Sequence, residues 1–286
     1  MSPESGRGGG AAELGPLAPW RDDPSSSAIL TDVDGTLAPI VARPEEAAVP
    51  ARASEALRRL SGRYGLVGCV SGRRAEEARR LVGIEDIAYA GNHGLELLLP
   101  GERQPRFDPA LAGREGDAAG FLAELGPQAL AEAGLRLEDK GPIQALHWRG
   151  AEDDRAAEAQ AHEIGTAAGR AGLELRWGRK VLELRPPGGG GKDAAVAALL
   201  TAPPAARSGF EPDSGSNLDR AVYAGDDRTD LDAFRRLREL QRDGELETAV
   251  CVGVASDEGP AEIAEEADLT VEGPSGWLAL LEALAE

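Results

Sequence analysis

The sequence predicts an α/β protein: a doubly wound parallel-sheet (Rossmann-like) core with an inserted α+β cap domain. Three observations carry that expectation. Short apolar runs alternate with helical patterns from Ala28 onward. The alternation gives way after Pro100 to a helix–hairpin–helix–hairpin arrangement, and it resumes after the run Gly188–Gly191. Alternating strand and helix imposes right-handed crossovers and a parallel sheet, whereas short strands paired around glycine form antiparallel hairpins. The expected division is an extension over residues 1–27, a discontinuous core over 28–105 and 187–286, and a cap over 106–186.

The elements follow in order. Residues 1–27 are rich in Gly, Pro, Ser and Ala and are expected to be poorly ordered. Ala28–Thr31 reads as the first strand, followed by a helix over Ala51–Leu60, a strand over Leu66–Val70, a helix over Ala75–Val82 and a strand over Ile87–Ala90. Residues 102–119 are turn-rich. The cap then reads as a helix Phe121–Ala133, strands Leu135–Lys140 and Ile143–Arg149 around Gly141-Pro142, a helix Asp153–Arg170, and strands Leu173–Trp177 and Lys180–Arg185 around Gly178-Arg179. The core returns with a helix Lys192–Leu200, a loop Thr201–Asp219, a strand Ala221–Ala224, a helix Asp230–Leu240, a strand Ala249–Val254 and a terminal helix Trp277–Ala285. In such sheets ligands bind beyond the carboxyl ends of strands. Asp32, Ser71 and Asn92 fall at such ends.

Charge narrows the function. A net charge of -19 in 286 residues argues against nucleic acid as a partner. An anionic substrate needs local cations, and only three lysines exist: Lys140, Lys180 and Lys192. The acidic surface fits either a salt-adapted host or a GC-rich genome. Cys69 and Cys251 lie in apolar runs and read as buried strand thiols, so the cytoplasm is the default compartment. No stretch approaches a membrane span, and the N-terminus lacks the apolar core of a signal peptide.

Four strand or helix ends carry the chemistry. Ile29-Leu30-Thr31-Asp32-Val33-Asp34-Gly35-Thr36-Leu37 ends an apolar run with two carboxylates one residue apart; it is either a strand with an Asp-Gly turn, or a nucleophile beside its own acid/base. Ser71 in Val70-Ser71-Gly72-Arg73 is either a helix N-cap or part of an anion site. Lys192 opens a helix after four glycines, against the helix dipole. A bound phosphate would explain it, as would simple exposure. Gly225-Asp226-Asp227-Arg228-Thr229-Asp230 sets adjacent carboxylates after an apolar strand. Helix capping accounts for Asp230, but Asp226 and Asp227 together ask for a cation, and Mg²⁺ suits oxygen ligands.

The order and spacing of these segments resemble the haloacid dehalogenase-like phosphohydrolases, and within them the trehalose-6-phosphate phosphatase family, from about Ala28 to Leu281. Asp32-Val33-Asp34-Gly35-Thr36-Leu37 and Gly225-Asp226-Asp227-Arg228-Thr229-Asp230 carry the superfamily. Ser71-Gly72-Arg73, Gly91-Asn92-His93-Gly94, Ala145-Leu146-His147-Trp148-Arg149 and Val181-Leu182-Glu183-Leu184-Arg185-Pro186 point to the trehalose branch. The resemblance implies Asp32 as nucleophile forming an aspartyl-phosphate and Asp34 as acid/base. It implies phosphate binding by Thr36, Ser71, Gly72 and Lys192. Mg²⁺ would be held by Asp32, the Asp34 carbonyl, Asp226 and Asp227, with Asp230 in support. Two positions depart from the pattern: Asp193 stands where glycine usually follows the lysine, and Leu231 where an acid is common.

Strand alternation puts Glu138 with Lys140, His147 with Arg149, and Glu183 with Arg185 on shared sides of the cap sheet. Alone, these could be a solvated face; by the resemblance they face the sugar, as do Arg73, Asn92 and His93, the last two with a further option of supporting the cap hinge. His162 reads as solvated. The implied activity is a phosphatase acting on a sugar phosphate, trehalose 6-phosphate first, with sucrose phosphate or a glycosylglycerate phosphate as alternatives. A phospho-acceptor signalling domain fits less well, because it has no leaving sugar for Asp34 to protonate. A non-catalytic partner of trehalose-phosphate synthase would have no need of the full reaction set.

Overall fold

A computed structural model describes residues 14–41, 43, 46–203, 217–256 and 259–286. Twelve strands lie among the described residues, and in chain order they are β1 Ser27–Thr31, β2 Leu66–Val70, β3 Ala88–Gly91, β4 Glu96–Leu98, β5 Arg106–Phe107, β6 Arg136–Lys140, β7 Ile143–His147, β8 Glu174–Gly178, β9 Val181–Arg185, β10 Arg220–Gly225, β11 Thr248–Ala255 and β12 Leu269–Glu272. The α-helices are α1 Pro19–Asp22, α2 Ala51–Ser61, α3 Ala75–Val82, α4 Asp117–Leu125, α5 Pro127–Glu132, α6 Asp154–Arg170, α7 Lys192–Thr201, α8 Asp230–Arg242, α9 Ala261–Glu266 and α10 Gly273–Leu284.

Eight strands form the core sheet in the order β12-β11-β10-β1-β2-β3-β4-β5. From β12 to β3 every pairing is parallel, and β4 and β5 add an antiparallel edge. Both faces are covered, so the central strands are apolar throughout rather than alternating. Ile29 of β1 packs with Leu57 of α2, Val82 of α3 and Trp277 of α10 on one face. Its neighbours Ala28 and Leu30 pack with Val196 of α7 and Phe234 of α8 on the other. The doubly wound core is therefore as expected. Its central strand, β1, lies between β10 and β2, which brings the residues after Thr31, Val70 and Gly225 to one end of the sheet.

The second sheet, β6-β7-β9-β8, is antiparallel throughout. Leu146, Leu182 and Leu184 bury one of its faces against Leu122 of α4, Leu130 of α5 and Ala161 of α6. That leaves the Glu138, Ala145, Glu183 and Arg176 row, aligned across the four strands, on the opposite face.

The structure corrects several expectations. The poorly ordered segment does not extend to residue 27. Leu17 and Trp20 are fully buried, and the Trp20 indole donates to the Ala28 carbonyl at 3.2 Å; residues 1–13 lie outside the described residues, as do 204–216 of the expected loop. The helix expected over Phe121–Ala133 is two helices, because Pro127 cannot continue α4 and Gly126 turns the chain at φ +81°. Strand β7 stops at His147, so Arg149 falls outside it. Arg106 and Phe107, assigned to the cap by sequence, pair with β4 in the core sheet.

Candidate active site

Two strand ends and two helix starts meet beyond β1. Asp32 follows β1, Asp226 follows β10, and Asp230 opens α8. One oxygen from each lies within 4.8 Å of the others. Lys192, the first residue of α7, reaches in from the far side and its Nζ donates to Asp32 Oδ1 at 2.7 Å and Asp230 Oδ1 at 2.5 Å. The residue is 4% exposed, so the reading of a solvated lysine is wrong. Its unfavourable place at a helix N-terminus is offset by two carboxylates rather than by the helix itself.

The electrostatics follow from burial. Burial disfavours the Lys192 ammonium, but Asp230 and Asp32 outweigh it and raise its pKa. Burial raises the Asp32 carboxyl well above its ordinary value; Lys192 opposes that, while Asp230 and Asp226 add to it. Asp226 is pushed up to about 6, again chiefly by burial. Fully ionised, three buried carboxylates with one lysine would carry two uncompensated negative charges, which is part of why the Asp32 and Asp226 pKa values rise and why a cation would stabilise the group. Oxygen donors, two excess charges and a tight group fit a hard divalent ion. Gly35 permits the approach: at φ +93°, a Cβ there would stand 2.0 Å from Asp226 Oδ2.

Each proposed ligand has a different degree of freedom. Asp230 is fully engaged, accepting from Tyr223 Oη at 2.6 Å, from the amides of Asp226 and Asp227, and from Lys192. It organises the site rather than opening onto it. Asp227 is exposed and lies outside the three-carboxylate group, its Oδ1 accepting the Arg228 amide. Thr36, expected at the phosphate, instead donates to Asp226 Oδ1 at 2.8 Å.

The loop after β2 departs from the N-cap reading of Ser71. Ser71 Oγ accepts the Arg73 amide within the loop, and α3 begins only at Ala75, so Ser71 is not its N-cap. The Ala75 amide is served by Glu96 Oε2 at 2.8 Å. Arg73 grips Asp34 with two parallel bonds, Nε to Oδ2 at 2.7 Å and a terminal nitrogen to Oδ1 at 2.8 Å, and is itself steadied by Glu77. Such a fork fixes a carboxylate in orientation as well as in charge. Asp34 remains 39% exposed, open to whatever enters.

Above this centre is a cavity of about 410 Å³ whose walls come from both sheets. Asp32, Asp34, Gly72, Arg73, His93, Lys192 and Asp227 line it from the core, and Glu138, Lys140, His147 and Glu183 from the cap sheet. The cap residues are paired across strands: Lys140 Nζ with Glu183 at 2.9 Å and His147 Nε2 with Glu138 at 2.6 Å. Charged pairs on a strand face of this kind present both donors and acceptors. Arg149 does not line this cavity; it is exposed and lines another, of about 720 Å³, which Arg136 and His147 also border. Asn92 is fully buried behind the cavity, bonded to Glu96 and to the Lys140 carbonyl. His93 does line it, with a ring 2.8 Å from where a Gly72 Cβ would be.

Sequence reasoning missed Tyr223, Glu96 and Arg176. Tyr223 was legible as a phenol inside an otherwise apolar strand that runs into the acidic pair. Glu96 gave a weaker signal, one acid between Leu95 and Leu97. Arg176 was hidden in an exposed-looking hairpin, yet its register opposite Glu183 puts it in the polar row. His162 is exposed, as read, and stacks on Trp177 with ring centroids 4.2 Å apart.

Comparisons with known proteins identify a family. Residues 30–274 match the family described as Trehalose-phosphatase. A trehalose-phosphate phosphatase of Mycobacterium tuberculosis (strain ATCC 25618 / H37Rv) is 35% identical over 210 residues, which is 72% of this chain and 50% of that protein. A probable trehalose-phosphate phosphatase 9 of Oryza sativa subsp. japonica is 32% identical over 224 residues, 73% of this chain and 59% of that one. An uncharacterized glycosyl hydrolase of the same M. tuberculosis strain is 37% identical over 217 residues, only 15% of its length. The chain thus spans between about a seventh and three fifths of these relatives. Among solved structures, the C-terminal domain of C. albicans trehalose-6-phosphate phosphatase superposes with a TM-score of 0.67 at 23% identity, covering 96% of this chain and 98% of that one. The C-terminal domain of a Candida albicans trehalose synthase regulatory protein gives 0.65 at 12% identity, covering 94% and 97%. At such identities these structures speak for the fold alone.

Proposed function

The chain belongs to the trehalose-phosphatase family, and from that premise we propose that it hydrolyses trehalose 6-phosphate to trehalose and inorganic phosphate. One observation carries the reading: a single cavity joins a lysine-tied aspartate, a second carboxylate held by an arginine fork, and a cap face of paired acids and bases. The core, assigned to 28–105 and 187–286, holds the phosphoryl group. The cap, assigned to 106–186 and beginning after β5, holds the sugar.

In this reading Asp32 attacks phosphorus through its free carboxylate oxygen and the bond to the sugar O6 breaks. Asp34 gives a proton to that oxygen as it leaves, then takes one from the water that cleaves the aspartyl-phosphate. Lys192 and the Ser71–Arg73 loop bind the phosphoryl oxygens, and the cap over the cavity keeps bulk water away. The Asp32 and Asp226 carboxylates with the Asp34 carbonyl would hold Mg²⁺, with Asp230 behind them. When bound, the ion supplies the positive charge that lets an anionic nucleophile meet an anionic ester.

Glu138, Lys140 and Glu183, with His147 beside them, address the hydroxyls of the disaccharide. Sucrose phosphate and glycosylglycerate phosphates present similar hydroxyls, so a panel of esters decides among them. The described residues include no helix long and apolar enough to cross a membrane, and Cys69 and Cys251 are free and buried, which suits the cytoplasm. A regulatory partner of trehalose-phosphate synthase is the weaker reading, because Asp32, Asp34, Lys192 and Asp226 are all in place.

The test is phosphate release from trehalose 6-phosphate, sucrose 6-phosphate, a glucosylglycerate phosphate and glucose 6-phosphate, with Mg²⁺ and with EDTA. Turnover of trehalose 6-phosphate that EDTA removes is expected. Comparable turnover of glucose 6-phosphate would sink the disaccharide assignment. Asp32→Asn should abolish release while trehalose 6-phosphate still binds by calorimetry; wild-type release by that variant would end the proposed mechanism.

A further inference from the structure

The cap meets the core at a second point, beneath the cavity, through side chains that the proposed reaction does not use. Asn92 follows β3 and Glu96 begins β4, and neither has any exposed surface. Glu96 spends one oxygen on the Ala75 amide, at 2.8 Å, and the other on Asn92 Nδ2, at 2.9 Å. The same Nδ2 donates to the backbone carbonyl of Lys140 at 2.7 Å. Lys140 ends β6 and sends its own side chain to Glu183 in the cavity wall. Ala75 begins α3, one residue beyond the Ser71–Arg73 loop. One buried carboxylate therefore touches both the first residue of the helix that follows the phosphate loop and, through a single amide, the sugar-facing strand of the cap.

Hydrogen-bond chemistry makes this chain directional. A carboxylate and a peptide carbonyl can only accept. Asn92 must give both N–H groups, one to each, and turn its Oδ1 away; that oxygen is indeed buried without a partner. Leaving an acceptor unsatisfied is costly, as is the left-handed backbone of Asn92 at φ +49° and of His93 at φ +56°. The two donated bonds hold the turn despite both costs. The Arg74 guanidinium, 3.8 Å from Glu96 Oε1, supports the buried charge.

We propose that Glu96 is a positioning residue for substrate specificity: by orienting the Asn92 amide it sets where Lys140 stands over the phosphate loop. The inference rests on the reading that Lys140 and Glu183 face the sugar. It adds that a residue remote from the substrate, in the core rather than the cap, fixes their position.

Glu96→Gln tests it with little change of size. The new side chain can still accept from the Ala75 amide, but its NH₂ then faces the NH₂ of Asn92. Asn92 must flip, which sets Oδ1 against the Lys140 carbonyl and breaks the tie to the cap. Steady-state kinetics are measured with trehalose 6-phosphate and with p-nitrophenyl phosphate, an ester with no sugar, and hydrogen exchange is followed across the β6–β7 hairpin. Expected is a KM for trehalose 6-phosphate raised about five- to ten-fold, the worth of one hydrogen bond of about 1 kcal/mol or slightly more, with kcat within two-fold. Kinetics with p-nitrophenyl phosphate should be unchanged, and exchange should quicken in the hairpin while β2 keeps its protection.

Equal losses on both esters would show ordinary damage to the phosphate loop and overturn the proposal. So would an unchanged KM for trehalose 6-phosphate, or unchanged exchange. If Glu96→Gln does not fold, Asn92→Ser removes the amide with Glu96 intact, and the same results count in the same way. Should the wild-type enzyme ignore trehalose 6-phosphate, the functional reading fails; exchange in the hairpin still decides whether Glu96 positions the cap strand.

Discussion

Lys192 shows how a residue's cost can identify its role. Burying an ammonium beside two carboxylates stabilises the fold only as long as every partner stays, because removing one leaves an uncompensated charge. Lys192→Met should therefore lower unfolding stability in EDTA by about 3 kcal/mol, read from urea denaturation, and not merely weaken phosphate binding. A drop under 1 kcal/mol would show that Asp32 and Asp230 are content without it. His93 makes the opposite argument. Burial first, then the charges of Arg176, Lys192, Arg185 and Lys140, push its pKa well below the ordinary 6.5. Below that pH the unfolded chain takes up a proton that the folded chain refuses, so stability that is present at neutral pH is lost on acidification. The slope from this one group reaches at most about 1.4 kcal/mol per pH unit. Comparing stability between pH 7.5 and 5 for the wild type and for His93→Asn, whose side chain tolerates the positive φ, should show a shallower decline in the variant. Equal declines would assign the acid sensitivity elsewhere.

At the scale of elements, the long apolar runs were legible and the short polar ones were not. β1, β2, β10 and β11 are buried on both faces, so each announces itself as a hydrophobic run, and the acids after them are conspicuous by contrast. β4 and β5 have three and two residues, too few to establish any alternation, and their place in the sheet depends on β3. Capping rules pointed to Ser71 for α3, because they look only at local neighbours. The residue that serves its first amide is Glu96, 21 positions on. Period alone put Glu138 with Lys140 and Glu183 with Arg185 on shared sides of their strands, but Arg149 was carried two residues beyond the end of β7. Gly91 belongs to the same junction: a Cβ there would lie 2.1 Å from the Ala75 nitrogen. Backbone cannot yield as a side-chain tip can. Gly91→Ala should cost about 2 kcal/mol or more and weaken phosphate release from every ester alike, in contrast to Glu96→Gln. A variant with wild-type melting temperature and kinetics would mean that the β3–α3 contact is far looser than drawn.

For the molecule as a whole, charge raises a question that neither the residues nor the elements answer. The protein carries a net -19, yet the proposed substrate is an anion. The cavity does not reverse that field: its walls hold the carboxylates of Asp32, Asp34, Glu77, Glu138, Glu183 and Asp227 against the cations Arg73, Lys140 and Lys192. Those three cations are already engaged, by Asp34, Glu183 and the Asp32–Asp230 pair respectively. A divalent ion would cancel two charges of the excess and leave the approach still negative. Attraction thus begins only at contact, while repulsion acts at the range of the Debye length, about 30 Å at 0.01 M salt and about 10 Å at 0.1 M. Raising KCl from about 10 to 150 mM at saturating Mg²⁺ should therefore increase kcat/KM for trehalose 6-phosphate by screening that repulsion, with kcat nearly constant. Trehalose itself, being neutral, should inhibit with a constant that does not move with salt. A fall in kcat/KM over the same range would mean that the bound ion and the three cations dominate the field at the cavity mouth, and that the acidic surface has no part in substrate approach.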